Sequence, residues 1–286
     1  MTVTLATDKV SVMNLSQIFS KEEHIIGMIT EEGLPPIIIT NKKMYKMVLG
    51  NGIIVETGER GVASNQVVEV FNFSVDHPIF QSTYKVVQHN NKQELKILSY
   101  AIMEEFNSIL NIYNYLYDNW EKINISFSTN RSEYESLSKT LPQIPFLKEY
   151  FDAFFTETKD IISYLLTLFK IYYTHNNTKY KKSGVKDCID FIKDNDLTNL
   201  KDIFEKLRDV STLVLGARNA IVHPENHKEN KFLLYNVYLN SDNVLMPPCF
   251  EYKSKDGSGE YDVLEYIDFV YKSLLDISKQ FLTTLV

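Results

Sequence analysis

Two hydrophobic rhythms divide this chain. Over roughly the first ninety residues, apolar positions fall in short β-branched runs broken by turn residues; from Gln93 onward they recur at three- and four-residue steps. The first rhythm predicts strands. PPIIIT (35–40) reads as one. MYKMVLGNGIIVET (44–57) sets Asn51-Gly52 between two apolar runs, and because both turn residues tolerate positive φ it predicts a hairpin over about 44–56. QVVEVFNF (66–73) is a third strand, and the polar stretch after it holds a short strand at TYKVV (83–87). The second rhythm predicts helices. Leu95, Leu98, Ile102, Phe106, Ile109, Leu110, Tyr113 and Leu116 mark one long amphipathic helix from about 93 to Trp120. A short helix in FSTNRSEYESLSKT (127–140) and a break at LPQIP (141–145) follow. The stretch 146–173 is apolar around much of its circumference, as expected of a buried central helix or of one that forms a dimer. VKDCIDFIKDN (185–195) and 197–223 are two more helices, the latter opening on a cap near Asp196 or Thr198. Beyond Pro224 come a strand at FLLYNVYLN (232–240), a looped section containing MPP and KDGSG, and a last helix over 261–282. The expected fold is therefore α+β and predominantly α. A small β-rich module over residues 1–90 precedes a helical domain over 91–286 that carries a strand-containing insertion near its end.

Charge narrows the function classes. With 30 basic against 37 acidic residues the net charge is -7, which excludes coating a nucleic acid by bulk charge and leaves room for local contact alone. Cys188 and Cys249 lie far apart with no CxxC spacing, so neither a disulfide framework nor a zinc site is expected, and a reducing cytoplasm is the expected setting. The opening MTVTLATDKVSV lacks the basic and apolar regions of a secretory signal, and IISYLLTLF (161–169) is too short to span a bilayer, so no membrane partner is expected.

One segment carries chemistry. ARNAIVHPENH (217–227) closes the fifth helical pattern and places Arg218, Asn219 and His223 just before a proline. Residues five apart on a regular helix stand about 140° apart, whereas Asn219 and His223, four apart, share a face. Pro224 disfavours the α region for His223, so the helix should end there and free the imidazole to turn towards Arg218. A guanidinium offers a planar fork of donors suited to phosphate, and an imidazole exchanges a proton near neutrality. RNAIVHP on a late helix resembles the Arg-X4-6-His motif of the HEPN superfamily (higher eukaryotes and prokaryotes nucleotide-binding domain), with Arg218 and His223 as the motif pair and Asn219 as the polar neighbour. The resemblance spans the helical stretch from about 93 to 286 and implies a HEPN-like helical bundle. It further implies a metal-independent endoribonuclease needing no cofactor, acting as a homodimer in a toxin or phage-defence system, with RNA as substrate and an antitoxin or activating partner. Other members of that family have lost catalysis, so a non-catalytic nucleotide- or RNA-binding protein, or a helical scaffold, is the alternative. A dimer also follows from the chemistry. Attack by the RNA's own 2′-OH needs a base, an acid and charge stabilisation, and one chain offers one motif histidine.

Further candidates each have a plainer reading. Lys179, Lys181 and Lys182, with Tyr180 and His175, make a basic, partly aromatic loop that either tracks an RNA backbone or is simply solvated. His223 and His227 are spaced like zinc ligands, but Pro224 breaks the helix between them. Glu104 and Glu105 either orient the motif arginine or lie on an exposed helix face. Phe151, Phe154, Phe155 and Phe169, at helical spacing, belong to core or dimer packing, and Cys188 to the core.

Overall fold

The computed structural model describes residue 22 and residues 25–31, 33–48, 67–136, 139–174, 184–222, 231–254 and 257–286. The chain is mixed α+β and mostly helical, and it divides into two compact units, residues 1–75 and 76–286.

The first unit holds a four-stranded antiparallel sheet in the order β1 (Ile25–Ile29), β2 (Ile37–Thr40), β3 (Met44–Val48), β4 (Val67–Phe71). A tight turn joins β2 to β3: Thr40 Oγ1 accepts from Lys43 N at 2.9 Å, and Thr40 N donates to Lys43 O at 2.9 Å. Asn51-Gly52, the expected hairpin tip, lies outside the described residues. β3 has β2 on one edge and β4 on the other, with Val48 opposite Val67. Ile37, Ile38, Met44, Tyr45 and Phe71 are buried on this sheet.

The second unit opens with a correction. The segment expected to hold a strand at TYKVV is helix α1 (Pro78–His89). Pro78 sits where its missing N–H costs nothing, and His77 Nδ1 accepts from Ile79 N at 3.4 Å. The β-branched pair Val86-Val87 suggested a strand, but Ile79, Phe80, Thr83, Val86 and Val87 bury one helical face, and that spacing prevails. α2 (Gln93–Thr129) outruns its expected end near Trp120, because Ile123 and Phe127 continue the buried stripe. After the short α3 (Arg131–Glu135), α4 (Leu147–Phe169) packs chiefly along α2 and runs into a wide π turn over Lys170–Thr174. α5 (Val185–Asp194) and α6 (Thr198–Val222) pack on each other, and α7 (Val263–Thr283) packs on α1, α2 and α6.

The section read as loop around MPP and KDGSG is largely strand. β8 (Cys249–Ser254) pairs β5 (Lys231–Tyr235) on one edge and β9 (Gly257–Asp262) on the other, all antiparallel. Along β8, Phe250 and Tyr252 are buried while Glu251 and Lys253 face outward. That two-residue alternation is the strand signal which the neighbouring glycines and prolines obscured. A small ladder joins β6 (Tyr238–Leu239) to β7 (Leu245–Met246). Asp262 ends the sheet and caps α7, its Oδ1 accepting from Leu264 N at 2.7 Å and Glu265 N at 2.9 Å.

α4 is a central helix of this unit. Phe151 meets Phe155 and Phe250 at ring distances of 4.8 Å, and Phe250 lies edge-on to Tyr266 at 4.9 Å. At its other end Phe169 packs on Phe204 at 4.7 Å and on Phe191 at 5.7 Å. Each such aromatic pair adds about 0.5–1.5 kcal/mol beyond its burial. The phenylalanines expected in core or dimer packing are thus used inside the chain, and Cys188 is buried in the core as expected. Among the described residues, no helix is long and apolar enough to cross a membrane.

Candidate functional site

α6 presents the motif arginine at its last turn. Val214, Ala217 and Ala220 are buried on one side of the helix, and the two alanines keep that side thin. Arg218 and Ile221, three apart and half-buried, line a cavity of about 280 Å³ whose opposite wall is α4. That wall is Lys148, Asp152, Phe155 and Thr156, residues spaced four, three and one apart that follow one side of α4. Phe155 is buried and with Ile221 supplies the apolar part, whereas Lys148, Asp152, Thr156 and Arg218 supply polar groups. Lys148 Nζ donates to Asp152 Oδ2 at 2.6 Å, and that bond pushes the Lys148 ammonium above the ordinary lysine range. None of the ion pairs among the described residues involves Arg218.

The β insertion braces this end of α6. Tyr252 of β8 lies over Gly216, where a Cβ would come within 3.4 Å of the ring and 3.5 Å of its hydroxyl. The ring thus rests on the backbone of α6 two residues before Arg218. A Cβ there would meet the ring in ordinary van der Waals contact, so the gap between helix and sheet is just wide enough for alanine and for nothing larger. Tyr252 in turn stacks on Tyr261 at 6.2 Å, and Phe250 packs behind them.

The described part of α6 runs to Val222, so the helix end expected from Pro224 lies outside the described residues. His223, His227, His175, Lys179, Tyr180, Lys181 and Lys182 lie outside the described residues. Asn219 is half-buried and is not among the residues lining the cavity, since one position along a helix is a rotation of about 100°. Lys148 and Asp152 were not singled out in the sequence. The i,i+4 spacing of a lysine and an aspartate was visible, but nothing tied it to an arginine seventy positions on.

Glu104 and Glu105 do not sit on an open helix face; both are half-buried. Glu105 of α2 shares a hydrogen bond with Glu157 of α4. Burial pushes the Glu105 carboxyl up to about 9, and Glu157 and the nearby Asp160 and Glu104 add to the effect. At neutral pH Glu105 is therefore the protonated donor and Glu157 the acceptor, a carboxyl pair between two helices that does not line the Arg218 cavity. Among the described residues, no cluster of three or more His, Cys, Asp and Glu side chains is placed to hold a metal ion. No family model, no curated protein and no solved structure matches this chain.

Proposed function

We propose that this chain is a metal-independent endoribonuclease of HEPN type. It acts as a homodimer whose composite site brings together Arg218 and His223 of both copies, and it serves in a toxin or phage-defence system. The observation that supports the reading best is the placement of Arg218. The guanidinium of the motif lies half-exposed near the end of the described part of α6, beside a cavity with a second cation and five positions before the motif histidine. A guanidinium bound in a core ion pair would speak for a structural role; this one lines a cavity.

The chemistry follows from the groups. One His223 takes the proton of the RNA 2′-OH, the arginines stabilise the charge gathering on the phosphorus oxygens, and the second His223 protonates the departing 5′-oxygen. The products are a 2′,3′-cyclic phosphate and a free 5′-OH. Cleavage of a labelled RNA in the presence of EDTA tests the reading. The wild-type chain should cut, and His223→Ala should lose about 10²- to 10⁴-fold in rate while retaining RNA binding. Arg218→Lys should also fail, because a point charge does not reproduce the planar fork. Full activity in both variants, or abolition by EDTA, would overturn the proposal. Binding of RNA without cleavage would favour the non-catalytic alternative.

A further inference from the structure

The geometry points to a phosphate seat in the cavity between α4 and α6. In this seat Arg218 and Lys148 hold one phosphate group of a nucleotide chain, and Asp152 occupies Lys148 until that phosphate arrives. The inference rests on the reading of the substrate as RNA, and it adds Lys148 and Asp152, which the Arg-X4-6-His motif does not contain.

The arguments are size, charge and position. At about 280 Å³ the cavity lies just below the roughly 300–1,000 Å³ of pockets that enclose a whole small ligand, so it accepts a group rather than an entire nucleotide. It presents two cations and one carboxylate, a local excess of positive charge on a chain whose net charge is -7. The cations come from two different helices, so a phosphate lying between them touches both α4 and α6. Lys148 is exposed, its side chain at 66% accessibility, and its bond to Asp152 is an i,i+4 ion pair on the surface, a class of contact that costs little to break. A phosphate oxygen replaces the carboxylate oxygen like for like, with Arg218 adding a fork that Asp152 does not engage. The Thr156 hydroxyl donates to Asp152 O at 3.2 Å and is a further polar group on the same wall.

The test is equilibrium binding, by fluorescence anisotropy, of a 2′-O-methyl RNA oligonucleotide. That probe carries the phosphates but lacks the hydroxyl needed for cleavage. Lys148→Ala should weaken binding about tenfold, the loss expected for one charge-assisted contact. Asp152→Asn should tighten it several-fold, since it frees Lys148 and removes a like charge. The control is Asp268→Asn on α7, which frees Lys272 from an ion pair of the same i,i+4 spacing, at 2.7 Å and 70% lysine exposure, that does not line the cavity. It should leave affinity unchanged, showing that the Asp152 effect is local rather than a matter of net charge. The opposite signs of the Lys148 and Asp152 variants separate a ligand contact from mere loss of structure. Wild-type protein that binds no oligonucleotide, or binds it equally well with alanine at 148, overturns the seat. Lys148-dependent binding in a protein that cleaves no RNA leaves the seat standing and overturns the ribonuclease. Cleavage with indifference to both substitutions does the reverse.

Discussion

Glu105 shows how a single side chain answers to neighbours its own helix does not reveal. Its ordinary pKa in an unfolded chain is near 4.5, and in the folded chain it is pushed up to about 9. Between those values the folded state holds a proton that the unfolded state has released. The pair's contribution to stability is therefore fully present below about pH 4.5 and is lost as the pH climbs towards 9. Glu105→Gln keeps a donor for Glu157 and cannot ionise. Thermal unfolding should show the variant equal to wild type near pH 5 and increasingly more stable towards pH 9, and a constant difference across that range would refute the shared proton. At this scale the sequence offered Arg218 and withheld Lys148 and Glu157. The arginine sits in a recognisable local pattern, whereas the other two matter only because α4 lies beside α6 and α2, which no short-range spacing encodes.

At the scale of elements, the long periods were readable and the exceptions had local causes. α2, α4, α6 and α7 followed directly from three- and four-residue spacing. TYKVV misled because two adjacent valines favour strands on their own, while the stripe that decides the matter begins at Ile79. The β8–β9 hairpin hid behind Gly257 and Gly259, residues that usually mark a turn. At Gly259 a Cβ would overlap the Tyr261 ring, so the glycine there belongs to the strand's packing. Elements are also tied by single side chains. Asn236, just past β5, accepts from Ile144 N at 3.0 Å and donates to Ile144 O at 3.0 Å, and Gln143 Nε2 donates to Val237 O at 2.9 Å. These bonds pin the loop that leads into α4, and hence the wall carrying Lys148, to the chain beyond the motif. Asn236→Ala leaves both backbone groups of the buried Ile144 without that partner and should cost about 1–3 kcal/mol. A lower urea midpoint with an unchanged slope would show it, and an unchanged midpoint would show that the staple carries no stability.

For the molecule as a whole, the apolar breadth of 146–173 was one of two reasons to expect a dimer, and the fold spends it internally on α2, β8 and α7. The remaining reason is chemical: one motif histidine per chain against two proton transfers. It makes its own prediction. If each active site needs both copies, wild-type chain mixed with excess His223→Ala chain and allowed to exchange subunits should lose activity faster than dilution explains, roughly as the square of the wild-type fraction. Activity proportional to the wild-type amount would mean that one copy suffices. A last consequence concerns variation. Because Tyr252 rests on bare backbone at Gly216, the sizes of these two residues are in effect one quantity shared between the motif helix and the inserted sheet. Any descendant of this sequence that enlarges position 216 beyond alanine must shrink position 252 or tilt the sheet. The two positions should therefore drift together, and a relative that has lost the inserted sheet should be free to carry any helix-forming residue two places before its arginine.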